Sequence, residues 1–215
     1  MTAFQFGDII FLAAWIVSFA LSPKTRKIQI FGSLLLVPFG FLDIWFRPDY
    51  WNPPLLIKAI EPLSIETPIY CFCAGGIAVV VGSFFIARSK NLKLNWRNII
   101  LFLIAGFALF ATFKAFTNLN AMNCLNFSFL IIWIILMISG IRRDWKSIFP
   151  AVIFGAFTIG AINLGLVFFP NFVVEFWNLG KNWPLFLNTP LEEIFFAGTL
   201  GALWTILLRY LTAKE

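Results

Sequence analysis

Asp49-Tyr50-Trp51-Asn52 returns 126 residues later as Glu175-Phe176-Trp177-Asn178. In each copy an acid, an aromatic, Trp and Asn lead, and a glutamate follows the Trp by 15 residues: Glu66 after Trp51, Glu192 after Trp177. A matching glycine comes later in each, Gly75 and Gly201. Both glutamates head long apolar stretches. A carboxylate at the mouth of a membrane helix is costly, so its repetition points to use. An internal repeat also tells how the rest of the chain is to be divided.

Composition sets the solvent. The 215 residues are 60% hydrophobic and 12% charged, with a mean hydropathy of +0.89. Average globular chains carry about 25% charge. A water-soluble domain of this length has too little interior to hide so much apolar surface. The bilayer is the expected partner, and its core calls for about 20 apolar residues per helix. Seven such stretches are read: Phe4–Leu21, Ile28–Phe46, Ile65–Ala87, Asn98–Phe116, Met122–Ile141, Ile148–Phe169 and Pro190–Leu211. The first has no basic residue before it and is read as a span, not as a cleaved leader. Helices satisfy their own backbone hydrogen bonds in lipid, so an all-α integral membrane protein is expected.

The basic residues sort the connections. Lys24, Arg26, Lys27, Arg88, Lys90, Lys93, Arg97, Arg142, Arg143, Lys146, Arg209 and Lys214 fall on one side of a seven-helix arrangement, twelve of the sixteen. Arg47, Lys58, Lys114 and Lys181 fall on the other. Basic residues favour the cytoplasmic face, so the N-terminus is expected outside a cell membrane and the C-terminus in the cytoplasm. The net charge of +6 follows from this anchoring, and nothing calls for nucleic acid. The repeat then divides the chain into a first three-helix repeat over 1–97, a linking transmembrane helix over 98–120 and a second three-helix repeat over 121–215. One extra crossing returns the second copy to the orientation of the first, so two parallel repeats are expected. An oligomer is compatible with this architecture.

Seven of the ten acids crowd one set of connections or their edges: Asp43, Asp49, Glu61, Glu66, Glu175, Glu192 and Glu193. Glutamate at a helix start is favoured by the dipole anyway, which accounts for some of them. Glu66 and Glu192 stand apart because they open apolar helices at matching positions. Glu193 has no acidic counterpart, since Thr67 occupies the equivalent place.

Thr189-Pro190-Leu191-Glu192-Glu193-Ile194-Phe195-Phe196 resembles the Pro-x-Glu-Glu motif of the integral-membrane lycopene cyclase domain and its following aromatic pair. Glu175-Phe176-Trp177-Asn178 resembles that family's aromatic loop, and Asp43-Ile44-Trp45 through Ile65-Glu66 its first-repeat segment. The sharp residues cover about a quarter of the chain, and the first copy, Ser64-Ile65-Glu66-Thr67, lacks the motif proline and the second glutamate. The resemblance implies a carotenoid (lycopene-type) cyclase, an isomerase that closes ionone-type rings on a linear polyene. A carboxylic acid protonates a terminal alkene, an internal double bond attacks the cation, and a base removes a proton, without net redox. It implies Glu66, Glu192 and Glu193 as catalytic candidates, with Glu192 the more central because Glu66 matches it. Asp43, Asp49, Tyr50, Trp51, Glu175, Phe176, Trp177, Tyr70 and Phe196 are the candidate substrate-binding residues, and the partner is a hydrophobic polyene. Aromatic faces stabilise a cation by roughly 0.5–2 kcal/mol each without quenching it. Hydration of a carotenoid or isoprenoid end group is the alternative within the same chemistry. A non-catalytic transporter or lipid-binding protein is the alternative outside it.

Glu192-Glu193 also resembles the Glu-Glu motif of intramembrane proteases, but Ala197 stands where their arginine is expected, and the chain has no histidine. That also removes the commonest zinc and haem arrangements, and no metal site is expected. No glycine-rich phosphate loop or dinucleotide fingerprint is visible, so no cofactor is named. Cys71, Cys73 and Cys124 read as small buried residues.

Overall fold

A computed structural model describes residues 3–47, 49–53, 64–85, 94–139, 145–178 and 184–211. Glu61 and the basic residues Lys58, Arg88, Lys90, Lys93, Arg142, Arg143, Lys181 and Lys214 lie outside the described residues. Long helices occupy the seven apolar stretches: α1 (Ala3–Leu21), α2 (Arg26–Gly40), α4 (Glu66–Phe85), α5 (Trp96–Phe116), α6 (Ala121–Ile138), α7 (Ile148–Phe168) and α9 (Leu191–Leu211). Two short helices, α3 (Asp43–Phe46) and α8 (Phe172–Phe176), precede the Trp51 and Trp177 segments. Among the described residues the fold is helical but for a small hairpin, in which β1 (Leu185–Phe186) pairs antiparallel with β2 (Thr189–Pro190), and one isolated bridge.

Local chemistry places the ends. Asn95 caps α5 by accepting from the Asn98 N–H at 3.3 Å, and Asn120 caps α6 by accepting from the Asn123 N–H at 2.8 Å. Each satisfies one of the donors that a helix start leaves unpaired. The second apolar stretch is continuous in sequence to Phe46, yet α2 stops at Gly40. Pro38 has no N–H to offer and loosens the last turn, and the chain re-forms as α3 behind the buried Asp43. The hairpin before α9 turns through Leu187 and Asn188 at φ of 48° and 59°. Left-handed backbone suits asparagine but strains leucine. Asn163 of α7 holds this turn, donating to the Leu187 carbonyl at 2.9 Å and accepting from Asn188 Nδ2 at 3.2 Å.

α4 and α9 pack on each other at the centre, with α2 and α1 against α4, and α7 and α6 against α9. Glycine sets the α2–α4 distance: a Cβ added at Gly75 would stand 2.5 Å from the Gly32 carbonyl oxygen. Trp204 of α9 reaches across to donate to that same carbonyl at 3.1 Å. The outer faces are apolar. Ile16, Leu34, Phe84, Ile104, Phe116 and Val167 are all exposed. In water each would forgo roughly 1.5–3 kcal/mol of burial, so a lipid surround is the low-energy one. Among the described residues, four helices are long and apolar enough to cross a membrane: α4, α5, α6, and α7 with its leading turn from Trp145. A fifth is counted if α1 and α2, which meet at a bend of 103°, are one broken span.

Candidate functional site

The two Trp-Asn segments meet. Asn52 N–H donates to the Phe176 carbonyl at 2.7 Å, and Asn178 N–H donates to the Tyr50 carbonyl at 2.9 Å. Swapping each residue for its partner 126 positions away turns one bond into the other. Trp51 and Trp177 form the antiparallel bridge between them, with ring centroids 5.8 Å apart.

Beneath this bridge lies a cavity of about 110 Å³. Its walls come from nearly every element: Phe11 of α1, Phe39 of α2, Tyr70 of α4, Leu125 of α6, Phe176 of α8 and Phe196 of α9. Ligand pockets for whole small molecules usually hold roughly 300–1,000 Å³. A cavity of about 150 Å³ takes a benzene. This one is smaller than that, so a long ligand would keep most of its length outside it.

The polar side chains in the wall are few. Glu193 Oε1 accepts from Tyr50 OH at 2.9 Å and from Trp177 Nε1 at 3.2 Å, and Trp177 Nε1 also reaches Tyr50 OH at 3.0 Å. All three residues are buried. Burial first, then the charges of Glu193 and Glu192, push the Tyr50 hydroxyl well above its ordinary pKa. It therefore stays protonated and remains a donor to Glu193. Thr158 of α7 adds a hydroxyl of another kind. Ser128 and Thr205 each donate to the carbonyl four residues back, as buried helical hydroxyls commonly do. Thr158 Oγ1 is buried in the cavity wall with no hydrogen-bond partner.

Of the residues singled out in the sequence, Glu193, Tyr50, Trp51, Tyr70, Phe176, Trp177 and Phe196 line this cavity. Glu192 does not. It points toward α6, where Asn120 Nδ2 donates to its Oε1 at 3.3 Å and Asn126 Nδ2 to its main-chain carbonyl at 3.0 Å. Adjacent helical residues point about 100° apart, so only one of the two glutamates can face the cavity. Glu193, and not the expected Glu192, is the one that lines the cavity. Glu66 is buried at the start of α4 and is not in the wall. Asp43 is buried between Arg47, whose Nε donates at 3.0 Å, and Trp51, whose Nε1 donates at 3.2 Å. It holds the Trp51 ring in place from outside the cavity. Asp49 pairs with Lys114 at 2.6 Å and accepts from the Ala121 N–H at 3.0 Å, clamping the start of α6. Glu175 is exposed.

Asp8 of α1 lines the cavity and was not singled out from the sequence. Its signal was there: it is the one charged residue in the run Phe4–Leu21. An ionisable group inside a membrane helix is a functional candidate by default. It lies within electrostatic reach of Glu66. Cys71, Cys73 and Cys124 are buried and unbridged. Among the described residues no three His, Cys, Asp or Glu side chains are grouped to hold a metal ion. The chain matches no family model, no curated protein and no solved structure.

Proposed function

We propose that the protein is a seven-span membrane enzyme that performs acid–base chemistry on the end of a linear isoprenoid polyene, closing a ring in the manner of the lycopene cyclase domain. The observation that carries this reading is the buried Glu193 carboxyl, held by Tyr50 and Trp177 in a small cavity whose wall is mostly apolar and aromatic. Cyclisation through a cation needs a proton donor, a proton acceptor and walls that do not capture the intermediate. Carboxyls supply the first two, and Tyr70, Trp51, Trp177 and Phe176 supply π faces for the third.

A duplicated architecture supports the reading. Phe11 meets Tyr70 edge-on at 4.7 Å where α1 meets α4, and Phe129 stacks with Phe196 at 6.2 Å where α6 meets α9. Tyr70 and Phe196 are 126 residues apart, whereas Phe11 and Phe129, Trp15 and Trp133, and Asp8 and Asn126 are each 118 apart. The longer connection between α6 and α7 and the earlier start of α7 account for the difference. The first three-helix repeat thus pairs α1, α2 and α4 with α6, α7 and α9, and α5 links them. At about 1.5 Å per residue, the 21 residues of α9 reach about 31 Å, enough to span a bilayer core of about 30 Å.

Hydration of the same end group is the second reading. It is favoured by the Thr158 hydroxyl, which offers a buried hydrogen bond to an oxygen inside an apolar cavity. The test is expression in cells that accumulate linear carotenes, with the pigments separated by chromatography. Cyclic product from the wild type is expected, with a loss of roughly 10²–10⁴-fold for Glu193→Gln. Glu192→Gln should cost less, because Glu192 faces α6 and not the cavity. Hydroxylated end groups in place of rings establish the second reading. A wild type inert toward every linear carotene refutes both.

A further inference from the structure

Two carboxyl residues line the cavity, Asp8 of α1 and Glu193 of α9. Their surroundings differ. Glu193 Oε1 accepts two hydrogen bonds, from Tyr50 and Trp177. No donor among the described residues reaches Asp8, whose charged neighbour is another acid, Glu66. An ionised carboxyl without donors is the costly state in an apolar cavity. A carboxylate with two donors in place is the affordable one.

We propose that Asp8 and Glu193 form the acid–base pair of this site, with Asp8 giving the proton that starts the reaction and Glu193 taking the proton that ends it. The assignment rests on the cyclisation reading. The Asp8 O–H bond breaks as the π pair of a terminal alkene forms a C–H bond with its proton. The cation left on the adjoining carbon is closed by the π pair of an internal alkene, which forms the ring C–C bond. Glu193 removes a proton from the carbon beside the new cation, and that C–H pair becomes the ring double bond. Asp8 ends ionised and Glu193 protonated, and proton exchange with water restores both. Atoms and charge balance, with no oxidant or reductant. The two copies then contribute unequally. Asp8 belongs to the first, where its counterpart in the second is Asn126, and Glu193 belongs to the second, where its counterpart in the first is Thr67. One complete acid–base pair is assembled across the duplication.

The test gives a linear carotene to membranes holding the full-length protein in deuterated buffer, and reads cyclic product and its deuterium content by chromatography and mass spectrometry. The wild type should add one deuterium per ring. Asp8→Asn should lower all turnover by about 10²–10⁴-fold, while Asp8→Glu, which keeps an acid, recovers part of it. Glu193→Gln should still consume substrate but divert it to products ended by other proton losses or by water. Thermal unfolding of each variant in detergent separates lost chemistry from lost folding, and Asp8→Ser replaces Asp8→Asn if the latter does not accumulate. Turnover by Asp8→Asn within threefold of an active wild type overturns this assignment alone. So does the reverse pattern, in which Asp8→Asn diverts substrate and Glu193→Gln leaves it untouched. A wild type that turns over no linear isoprenoid overturns the cyclisation reading and the assignment with it.

Discussion

Glu192 and Glu193 are neighbours in the chain and belong to different environments. Glu192 is held by asparagines of α6, and Glu193 by an aromatic pair drawn from both halves. The difference is one helical step of about 100°. Thr158 shows the same sensitivity of role to direction. Burying a hydroxyl without a partner costs roughly 1–3 kcal/mol. Thr158→Val keeps the shape and removes that cost. The variant is expected to unfold in detergent at a temperature equal to or above that of the wild type, by about 2–4 °C for each kcal/mol recovered. If the hydroxyl meets a ligand oxygen, the same variant loses turnover while gaining stability. A fall in the unfolding temperature would show instead that Thr158 has a structural partner.

The helix pair α2–α4 depends on two small residues. Gly32 and Gly75 let the backbones approach so closely that a Cβ at Gly75 would meet Gly32 backbone and Leu36 Cβ within 2.9 Å. Backbone cannot move aside as a flexible side chain can, so α2 and α4 must separate. Overpacking of this kind costs about 1–3 kcal/mol. Gly75→Ala is therefore expected to lower the unfolding temperature in detergent by several degrees. Gly160→Ala on α7, where nothing lies within 4 Å, should leave it unchanged or raise it slightly. Equal behaviour of the two variants would remove the close-contact account. The helices themselves were legible as apolar runs, because length and hydropathy act locally. The break at Gly40 and the turn into α3 were not, since Pro38 within a helix allows either a kink or a stop.

Across the molecule, the positions of charge and the meeting of the two halves make separate claims. The asymmetry of twelve basic residues against four sets the expected topology. Single cysteines placed near Trp51 or Trp177, in a protein whose own three cysteines are replaced, should react with an impermeant reagent on intact cells. One placed at Lys24, or in the connection between α4 and α5, should react only after the membrane is opened. Labelling of the latter from outside would reverse or break the seven-span arrangement. In that expected topology the bridge between Trp51 and Trp177 falls on the outer side.

The amino-acid order alone was enough for the helices, the solvent they face and the pairing of residues 126 apart, because each rests on composition or spacing along one strand of chain. It also named part of the cavity wall: Tyr50, Trp51, Tyr70, Phe176, Trp177 and Phe196. It could not choose between Glu192 and Glu193, since the repeat pointed to the first and only the rotation of α9 against α6 and α8 turns the second inward. It gave Asp8 no partner, because Asp8 and Glu193 stand 185 residues apart and meet only when α1 and α9 close on one cavity. Periodicity records which residues share a helix face, and packing decides what that face looks at.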